Sequence, residues 1–239
     1  MKNLFTAVVF AACFTTAAIA ADSSGYAHTP MTMENIGKSY MGRDIAYVMG
    51  HEGAGWLERP EREREEGTDK LLPLLGLKPT DTVADIGAGT GYFSFRLAAG
   101  VPQGKVYAED VQEAMVDEIK ERIAQRGIKN VEPVLGGIQS PKLPKAKVDL
   151  ILLVDAYHEF SYPREMGLAM VEALKPGGRI ALVEYRGEDD SVPIKDLHKM
   201  TVAQATREMN AIGLSLVSVD SRTLPWQHLM IFQKPASDR

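Results

Sequence analysis

Short apolar runs alternate with helical patterns through the middle of the chain. Apolar residues recur at helical spacing over 92–99, from 115 to Gly127 and over 163–174, which predicts three helices. Runs of the length usual for buried strands lie around these helices and predict five strands: 82–86, 105–109, 131–135, 148–154 and 179–185. Strands that alternate with helices are typical of a parallel sheet that is covered on both faces. The pattern therefore predicts an α/β fold.

The last part of the chain predicts one more helix and two more strands. The pattern Thr201-x-x-Gln204 is a capping box that opens a helix ending near Ile212. The runs 214–220 and 228–233 follow, and they are suited to an antiparallel pair at one edge of the sheet.

The pattern is weaker ahead of the first of these strands. Residues 21–38 are small and polar, which predicts a linker or an arm laid over the domain. Glycines between Tyr40 and Leu57 argue against a long helix, and the aromatic residues among them either cover a ligand or cap the sheet. Residues 61–66 alternate acid and base, which predicts a solvated helix face.

The strongest local signal is the turn that follows the strand at 82–86. Three glycines, at 87, 89 and 91, alternate with other residues after Asp85, and a helix begins at Tyr92. Glycine lets the backbone approach a bound molecule closely, and ligands of open α/β sheets bind where strands end. A dinucleotide site needs the spacing G-x-G-x-x-G, and Tyr92 stands where its third glycine would be. The turn therefore predicts a site for a different cofactor.

The spacing Asp-x-Gly-x-Gly-x-Gly resembles the first motif of the class I S-adenosylmethionine (SAM) dependent methyltransferases. The join from Leu174 to Arg179, Leu-Lys-Pro-Gly-Gly-Arg, also resembles the connection between helix and strand in that family. The resemblance covers about residues 60–233. It implies a Rossmann-like, seven-stranded, mostly parallel sheet with helices on both faces and a C-terminal antiparallel strand pair. It also implies SAM as the cofactor and methyl transfer as the reaction.

The resemblance places the cofactor along several strand ends. Asp85 would hold the amino group of SAM, directly or through water, and the glycine turn would carry the methionine part. Asp110 would bind both ribose hydroxyls, while Glu109 is the competing acid, with its side chain expected on the other face. Gly137 and Ile138 would give the adenine a backbone and apolar contact, where related enzymes commonly place an acid and a small residue. The implied cofactor set is Asp85, Gly87, Ala88, Gly89, Thr90, Gly91, Asp110, Val111, Gly137, Ile138 and Asp155.

Residues 155–159 follow the central strand and supply the catalytic candidates. An acceptor that must lose a proton during methyl transfer needs a positioned base. His158 is the first candidate because its unperturbed pKa is near 6.5, with Glu159 as its partner and Tyr157 as a further candidate. His158 or Glu159 could instead cap the next helix or make a hydrogen bond in the core. Candidates for substrate binding end the fifth strand: Glu184, Tyr185 and Arg186.

The sequence predicts no metal site. The pairs His51-Glu52 and His158-Glu159 stand alone, without His-x-x-x-His spacing, although a Mg²⁺ site made of scattered acids stays open. Two other functions compete with methyl transfer on the same fold. One is a module that binds SAM or another nucleoside without catalysis. The other is aminopropyl transfer, for which the acid-rich pocket expected for polyamines is not evident.

The first twenty residues predict a secretory signal peptide. Lys2 precedes an apolar stretch that ends in Ala18-Ile19-Ala20, a typical cleavage site. Cleavage after Ala20 would give a periplasmic or secreted protein, and processing as a lipoprotein at Cys13 is disfavoured because the apolar run continues past the cysteine. Without Cys13 the mature chain has no cysteine for disulfides or thiolate metal sites. The predicted organisation is 1–20 signal peptide, 21–59 N-terminal arm or cap, 60–233 methyltransferase domain and 234–239 tail.

Charge and length limit the partners. The formal net charge of the 239 residues is −5, and no run of basic residues occurs, which argues against a nucleic-acid or anionic lipid surface. The expected partner is a small-molecule substrate, with no nucleic acid and no stable membrane insertion after signal cleavage. The sequence gives no indication of the oligomeric state.

Overall fold

The computed structural model describes residues 24–236. The predicted signal peptide, with Cys13 and the cleavage site after Ala20, lies outside the described residues, as do residues 237–239. Within the described range, no helix combines the length and the apolar character that crossing a membrane requires.

The described chain begins with a small antiparallel sheet. Its strands lie in the order β1 (Tyr26–His28), β2 (Asn35–Tyr40), β3 (Arg43–Ala46). Of the two alternatives for residues 21–38, the linker was therefore wrong for the stretches that form β1 and β2. Contacts of Tyr26 with Glu165 and of Lys38 with the Ser161 carbonyl agree with an arm laid over the domain. The residues of β2 are mostly polar and small and do not alternate with apolar residues, so the sequence gives no strand signal. β2 forms a strand because it pairs with β1 and β3. Three short helices follow: α1 (Ala54–Leu57), α2 (Arg62–Glu66) and α3 (Thr68–Leu74).

A larger sheet forms the centre of the molecule. Its strands are β4 (Thr82–Ile86), β5 (Lys105–Asp110), β6 (Val131–Leu135), β7 (Val148–Val154), β8 (Leu174–Arg186), the short β9 (Lys199–Met200), β10 (Ser215–Asp220) and β11 (Gln227–Gln233). Their order is β10-β11-β8-β7-β4-β5-β6, with β9 beside β8. Strands β4 to β8 pair in parallel, and β11 is antiparallel to both of its neighbours. The predicted Rossmann-like sheet with its C-terminal antiparallel pair is confirmed.

Four longer helices connect the strands: α4 (Tyr92–Gly100), α5 (Glu113–Arg126), α6 (Pro163–Ala173) and α7 (Val202–Ala211). At the start of α7, the Thr201 hydroxyl accepts the Gln204 backbone N–H at 3.1 Å, as the capping pattern predicts. β8 begins at Leu174 instead of residue 179, because Leu174, which directly precedes the Lys-Pro-Gly-Gly join, already pairs with Val148 on β7.

The central sheet is buried on both faces. One face packs on α4 through Val83, Leu97, Leu150, Leu152, Ala181 and Val183. The other packs on α6 and α7 through Ala84, Ile86, Ile151, Leu153, Met170, Leu182 and Met209. Alternate residues of one strand thus enter two cores, which explains why the strands are apolar throughout. This packing fixes the strand ends, where the functional residues lie.

A buried ion pair joins the N-terminal sheet to the main domain. The Arg43 guanidinium on β3 donates to both carboxylate oxygens of Glu208 on α7, with Nε–Oε1 at 2.8 Å and Nη2–Oε2 at 3.0 Å. Its Nη1 also donates to the His158 carbonyl at 3.1 Å. The two side chains are 10% and 0% exposed. Arg43 therefore holds the N-terminal sheet against the segment that contains the catalytic candidates.

A second buried pair corrects the prediction of a solvated face over residues 61–66. Arg62 and Glu66 are buried, and Arg62 Nε donates to Glu66 Oε2 at 2.8 Å. Arg59 Nη2 and the Tyr185 hydroxyl donate to the other oxygen of Glu66 at 2.6 and 3.1 Å. The spacing of four residues places Arg62 and Glu66 on the same side of α2, which faces inward, while Glu63 is exposed.

Removing the Arg43 charge should destabilise the protein strongly. We expect Arg43→Met to lower the free energy of unfolding by about 3–5 kcal/mol, because the buried Glu208 carboxylate would lose its counter-charge. Lys105→Met is the matched control, since the pair Lys105–Glu132 is about half exposed and should contribute less than about 1 kcal/mol. Urea denaturation of both variants measures the difference, and equal losses would contradict the buried pair.

Candidate active site

A cavity of about 490 Å³ lies at the carboxyl ends of the central parallel strands. The strand ends contribute Gly87, Gly89, Glu109, Asp110, Asp155, Ala156, His158, Glu159 and Tyr185. The segment before the central sheet contributes Val48, Met49, Trp56, Leu57, Arg62 and Glu66. The loop after β8 contributes Pro193, Ile194, Lys195 and His198. This volume is within the usual range for a small-molecule site.

The glycine turn forms a tight part of the cavity wall. Gly87, Gly89 and Gly91 have φ values of 71°, 56° and 82°, in the left-handed region that glycine adopts without strain. A Cβ at Gly87 would lie 2.8 Å from the Ala156 Cβ, and one at Gly89 would overlap Leu57. Gly87 and Gly89 line the cavity, whereas Ala88, Thr90 and Gly91 form the part of the turn behind it.

Asp85 lies behind the turn and is not part of the cavity wall. Its Oδ2 accepts the Ser94 hydroxyl at 2.6 Å, and burial raises the pKa of its carboxyl to about 6. The structure therefore does not bring Asp85 together with the other cofactor candidates, and its contact with the amino group of SAM stays a prediction.

Two acids at the end of β5 both face the cavity. Asp110 accepts the backbone N–H groups of Gly89 and Gln112, each at 2.9 Å, so its carboxylate is fixed against the glycine turn. Glu109 is buried, and its Oε1 has no hydrogen-bond partner among the described residues. Burial and the neighbouring Asp110 raise the pKa of Glu109 to about 8. The expectation that Glu109 lies on the other face was wrong, because both acids contribute to the cavity wall, although only Asp110 is bound to the glycine turn at Gly89.

The wall beyond β5 and β6 is apolar and open. Val111 and Ile138 line the cavity and are 38% and 54% exposed, which is high for such side chains. Gly137 lies beside them on the same wall. Together with Asp110, these residues form the part of the predicted cofactor set that the structure brings together on this side.

Asp155 ends β7 in a strained position. Its φ is 49°, which is uncommon for a residue with a side chain. Its Oδ2 accepts the Gln227 amide N–H at 2.8 Å, while its buried Oδ1 has no partner within the part of the chain that the structure describes. Burial, Glu66 and Glu184 raise its pKa well above the usual range. Asp155 is therefore a cavity-lining residue with a buried carboxyl oxygen that no described residue binds.

His158 is held between a carboxyl group and a second histidine. Its Nδ1 lies 2.6 Å from Glu184 Oε2, and its Nε2 lies 2.9 Å from His198 Nδ1. The other oxygen of Glu184 accepts the backbone N–H groups of Tyr157 and His158 at 3.0 and 3.3 Å. Burial disfavours the charged form of both groups, so it lowers the pKa of the His158 imidazole and raises the pKa of the Glu184 carboxyl.

Glu159 completes this group on the cavity side. Its Oε2 accepts the Met49 backbone N–H at 3.2 Å. Its Oε1 lies 3.8 Å from both His158 Nε2 and His198 Nδ1. His198 was missed by the sequence analysis because it follows His158 by 40 residues and belongs to no motif.

The remaining candidates lie away from the cavity or serve the fold. Tyr157 is buried beside Arg43, and burial together with Glu208 raises the pKa of its hydroxyl well above the usual range. Tyr157 does not line the cavity, so its catalytic role stays a prediction without structural support. Arg186 donates to the backbone carbonyls of Leu224, Pro225 and Gln227, so its guanidinium serves the fold.

This fold and this site define a methyltransferase domain. The model of a family described as "Methyltransferase domain" matches residues 77–230, which is more than half of the chain. The chain therefore belongs to this methyltransferase family, and SAM is its cofactor.

Solved structures agree with this assignment. A SAM-dependent methyltransferase from Aquifex aeolicus superposes with a TM-score of 0.73 at 26% identity, covering 78% of this chain and 99% of that one. The [4+2]-cyclase SpnF, at a TM-score of 0.62 and 17% identity, covers 71% of this chain and 82% of its own, and shows the shared fold alone.

Curated relatives are similar over part of their length. The malonyl-[acyl-carrier protein] O-methyltransferase of Methylococcus capsulatus is 29% identical over 75% of this chain and 66% of its own. The ubiquinone/menaquinone biosynthesis C-methyltransferase UbiE of Ectopseudomonas mendocina is 27% identical over 48% of this chain and 45% of its own. The chain thus spans about half to two thirds of the length of these relatives.

The cavity fits SAM on its own features. Side-chain-free glycines form one wall, Val111 and Ile138 provide an apolar surface for a base, and Asp110 has lone pairs left for hydroxyl donors. The unpartnered Asp155 oxygen can accept a further donor. Burial keeps Glu109 and Asp155 in the wall from ionising readily, and a ligand with a positive centre, such as a sulfonium, would favour their charged forms.

The raised pKa of Asp85 predicts a pH-dependent stability difference. An Asp has a pKa near 3.9 when unfolded, so a folded value of about 6 means that protonation of Asp85 favours the native state. This contribution is present below about pH 4 and is lost as the pH rises through about 6. We therefore expect the free energy of unfolding of Asp85→Asn, relative to the wild type, to rise by roughly 2–3 kcal/mol between pH 4 and 7. Denaturant titrations at several pH values measure this difference.

Asp117→Asn serves as the control for this experiment, because Asp117 is exposed on α5. Its stability should follow the wild type over the whole range. A constant difference between Asp85→Asn and the wild type would show that Asp85 titrates as an exposed acid.

Proposed function

We propose that this chain transfers a methyl group from SAM to a small-molecule acceptor. The observation that carries the proposal is one continuous cavity with the glycine turn and Asp110 on one wall and the His158–Glu184 pair on another. A site that joins a cofactor surface to a polar histidine suits transfer between two bound molecules.

The residues around the cavity would position the reactants and exclude water. SAM supplies a methyl group that is already activated on a sulfonium. Asp110 and the glycine turn would fix the nucleoside and methionine parts, as the resemblance implies. Met49 and Leu57 from the N-terminal segment and Ile194 from the loop after β8 form apolar walls that limit access of solvent. Holding an acceptor in line by such walls can contribute about 7–11 kcal/mol to the rate.

His158 would act on the acceptor as a base. If its Nδ1 carries the proton shared with Glu184, its Nε2 lone pair faces His198 and the cavity. An acceptor hydroxyl or other acidic group that takes the place of His198 at this nitrogen would give its proton to His158 Nε2. The new bond to the methyl carbon would form as the bond from that carbon to the sulfonium sulfur breaks, which would leave S-adenosylhomocysteine. Glu184 would be a positioning residue, because it orients the imidazole without lining the cavity.

The shape of the site supports a small-molecule acceptor. The N-terminal segment and the loop after β8 enclose the strand ends from two sides, and the described surface shows no run of basic residues. The relatives act on different acceptors, one as an O-methyltransferase and another as a C-methyltransferase, so the atom that is methylated differs even among similar chains.

Cofactor binding is the first test. Calorimetric titration of the full chain with SAM, and separately with S-adenosylhomocysteine, should show binding in the micromolar range. Asp110→Asn should weaken both about 10–100-fold, because one charged acceptor for the ribose hydroxyls is lost. Asp117→Asn should bind like the wild type. A folded chain that binds neither compound would contradict the proposal, and unimpaired binding by Asp110→Asn would contradict the ribose contact.

Turnover tests the role of His158. With a panel of small phenols, carboxylic acids, thiols and amines, release of S-adenosylhomocysteine should fall about 10²–10⁴-fold in His158→Gln, while SAM binding is retained. His28→Gln is the control, because His28 is exposed at the end of β1. Unchanged turnover would remove His158 from the mechanism, and SAM binding without turnover on any acceptor would favour the non-catalytic binding module.

A further inference from the structure

His158, Glu159 and His198 place three potential metal ligands around one point. The two ring nitrogens that face each other, His158 Nε2 and His198 Nδ1, are 2.9 Å apart. Glu159 Oε1 lies 3.8 Å from each of them. A triangle with these sides has a centre equidistant from its corners, about 2.1 Å from each atom, which matches zinc–nitrogen and zinc–oxygen bonds.

We propose that His158, Glu159 and His198 bind a divalent transition-metal ion at the wall of the cavity. The hydrogen bond between the two histidines needs one proton, and the ion would replace that proton, with both rings turning their lone pairs towards the ion. Two imidazole nitrogens and one carboxylate oxygen select an ion such as Zn²⁺ over Mg²⁺ or Ca²⁺, which prefer oxygen ligands.

The groups around the three ligands already hold them in place. Glu184 lies 2.6 Å from His158 Nδ1, the arrangement of a carboxylate that orients a metal-binding histidine. Glu184 is itself fixed by two backbone N–H groups. The Met49 N–H binds Glu159 Oε2, which leaves Oε1 to face the histidines. Such supporting contacts distinguish a built site from a chance cluster of surface acids.

The ion would have open coordination positions on the cavity side. All three ligands line the cavity, and three protein ligands leave at least one position of a tetrahedral ion for another molecule. This position would take an oxygen or nitrogen atom of the acceptor, a step that rests on the proposed function. With the ion bound, the His158 Nε2 lone pair is used for coordination, so His158 would not serve as the base. The ion would instead lower the pKa of the bound acceptor, which would release its proton to water.

No sequence motif indicates the three-ligand site. His158 and Glu159 are adjacent in sequence, but His198 comes from the turn formed by Asp196–His198, after the loop that follows β8. The fold brings this turn to the end of β7, where it meets the other two residues.

Metal binding can be measured without any enzyme assay. The full chain, stripped with EDTA and dialysed, should bind one equivalent of Zn²⁺ with submicromolar affinity in competition with a chromophoric chelator. Loaded with Co²⁺, it should show the strong visible absorption of a four- or five-coordinate ion. His198→Ala and Glu159→Gln should each lose at least 10–100-fold in Zn²⁺ affinity and lose the Co²⁺ absorption. Far-ultraviolet circular dichroism would verify that both variants are folded.

A matched pair of variants provides the control. His51 and Glu52 also form a histidine–carboxylate contact, at 3.5 Å, but both are exposed and lie outside the cavity wall. His51→Ala and Glu52→Gln should bind Zn²⁺ like the wild type. Absence of stoichiometric binding, or equal affinity in His198→Ala and the wild type, would overturn the proposal.

Titration with SAM in the presence of EDTA separates this proposal from the proposed function. SAM binding by a chain that does not bind Zn²⁺ would overturn the metal site alone and leave His158 as the base. Zn²⁺ binding that depends on His198, by a chain that does not bind SAM, would support the metal site and contradict methyl transfer.

Discussion

Buried carboxyl groups around the cavity are the constraint on which the site depends. Glu66, Glu109, Asp110, Asp155 and Glu184 are largely removed from water around one cavity. A carboxylate in such a position is costly unless it is neutralised or hydrogen-bonded. Each group meets this requirement in its own way. Glu66 binds two arginines, Asp110 accepts backbone N–H groups, and Glu184 pairs with His158. Burial raises the pKa of Glu109 to about 8 and that of Asp155 well above its usual range, which favours their neutral forms. These contacts and pKa shifts determine which groups the cavity presents to a ligand.

This constraint divides the cavity into two parts. On the cofactor side, oxygens of Glu109 and Asp155 lack partners among the described residues, so this side gains most from a ligand that brings donors or positive charge. On the other side, Glu184 and His158 satisfy each other, and Glu159 is oriented by a backbone N–H. The first part is suited to SAM, and the second to a group that acts on the acceptor.

The sequence predicted those elements whose signal is local. Strands β4, β6 and β7 have the predicted bounds, because a continuous apolar run between turns identifies a strand that is buried on both faces. Prediction from the sequence failed where a residue's environment depends on partners that are distant in the chain. The charges of residues 61–66 are visible in the sequence, but the contacts of Arg59 and Tyr185 with Glu66 are not. The burial of Arg62 and Glu66 could therefore not be predicted. His198 gives no local signal at all, and its position next to His158 results from the path of the loop after β8.

The family relationship covers the strand-end part of the site but not the wall that the N-terminal segment forms. The match to the methyltransferase domain covers residues 77–230, and this range contains the glycine turn, Asp110, Ile138 and Asp155. The wall formed by Val48, Met49, Trp56 and Leu57 precedes residue 77 and lies outside the match. SpnF shows that chains with this fold include one named for a different reaction, so the fold does not determine the chemistry. The acceptor of this chain must therefore be sought in the residues particular to its N-terminal segment and in the contact of that segment with Glu159.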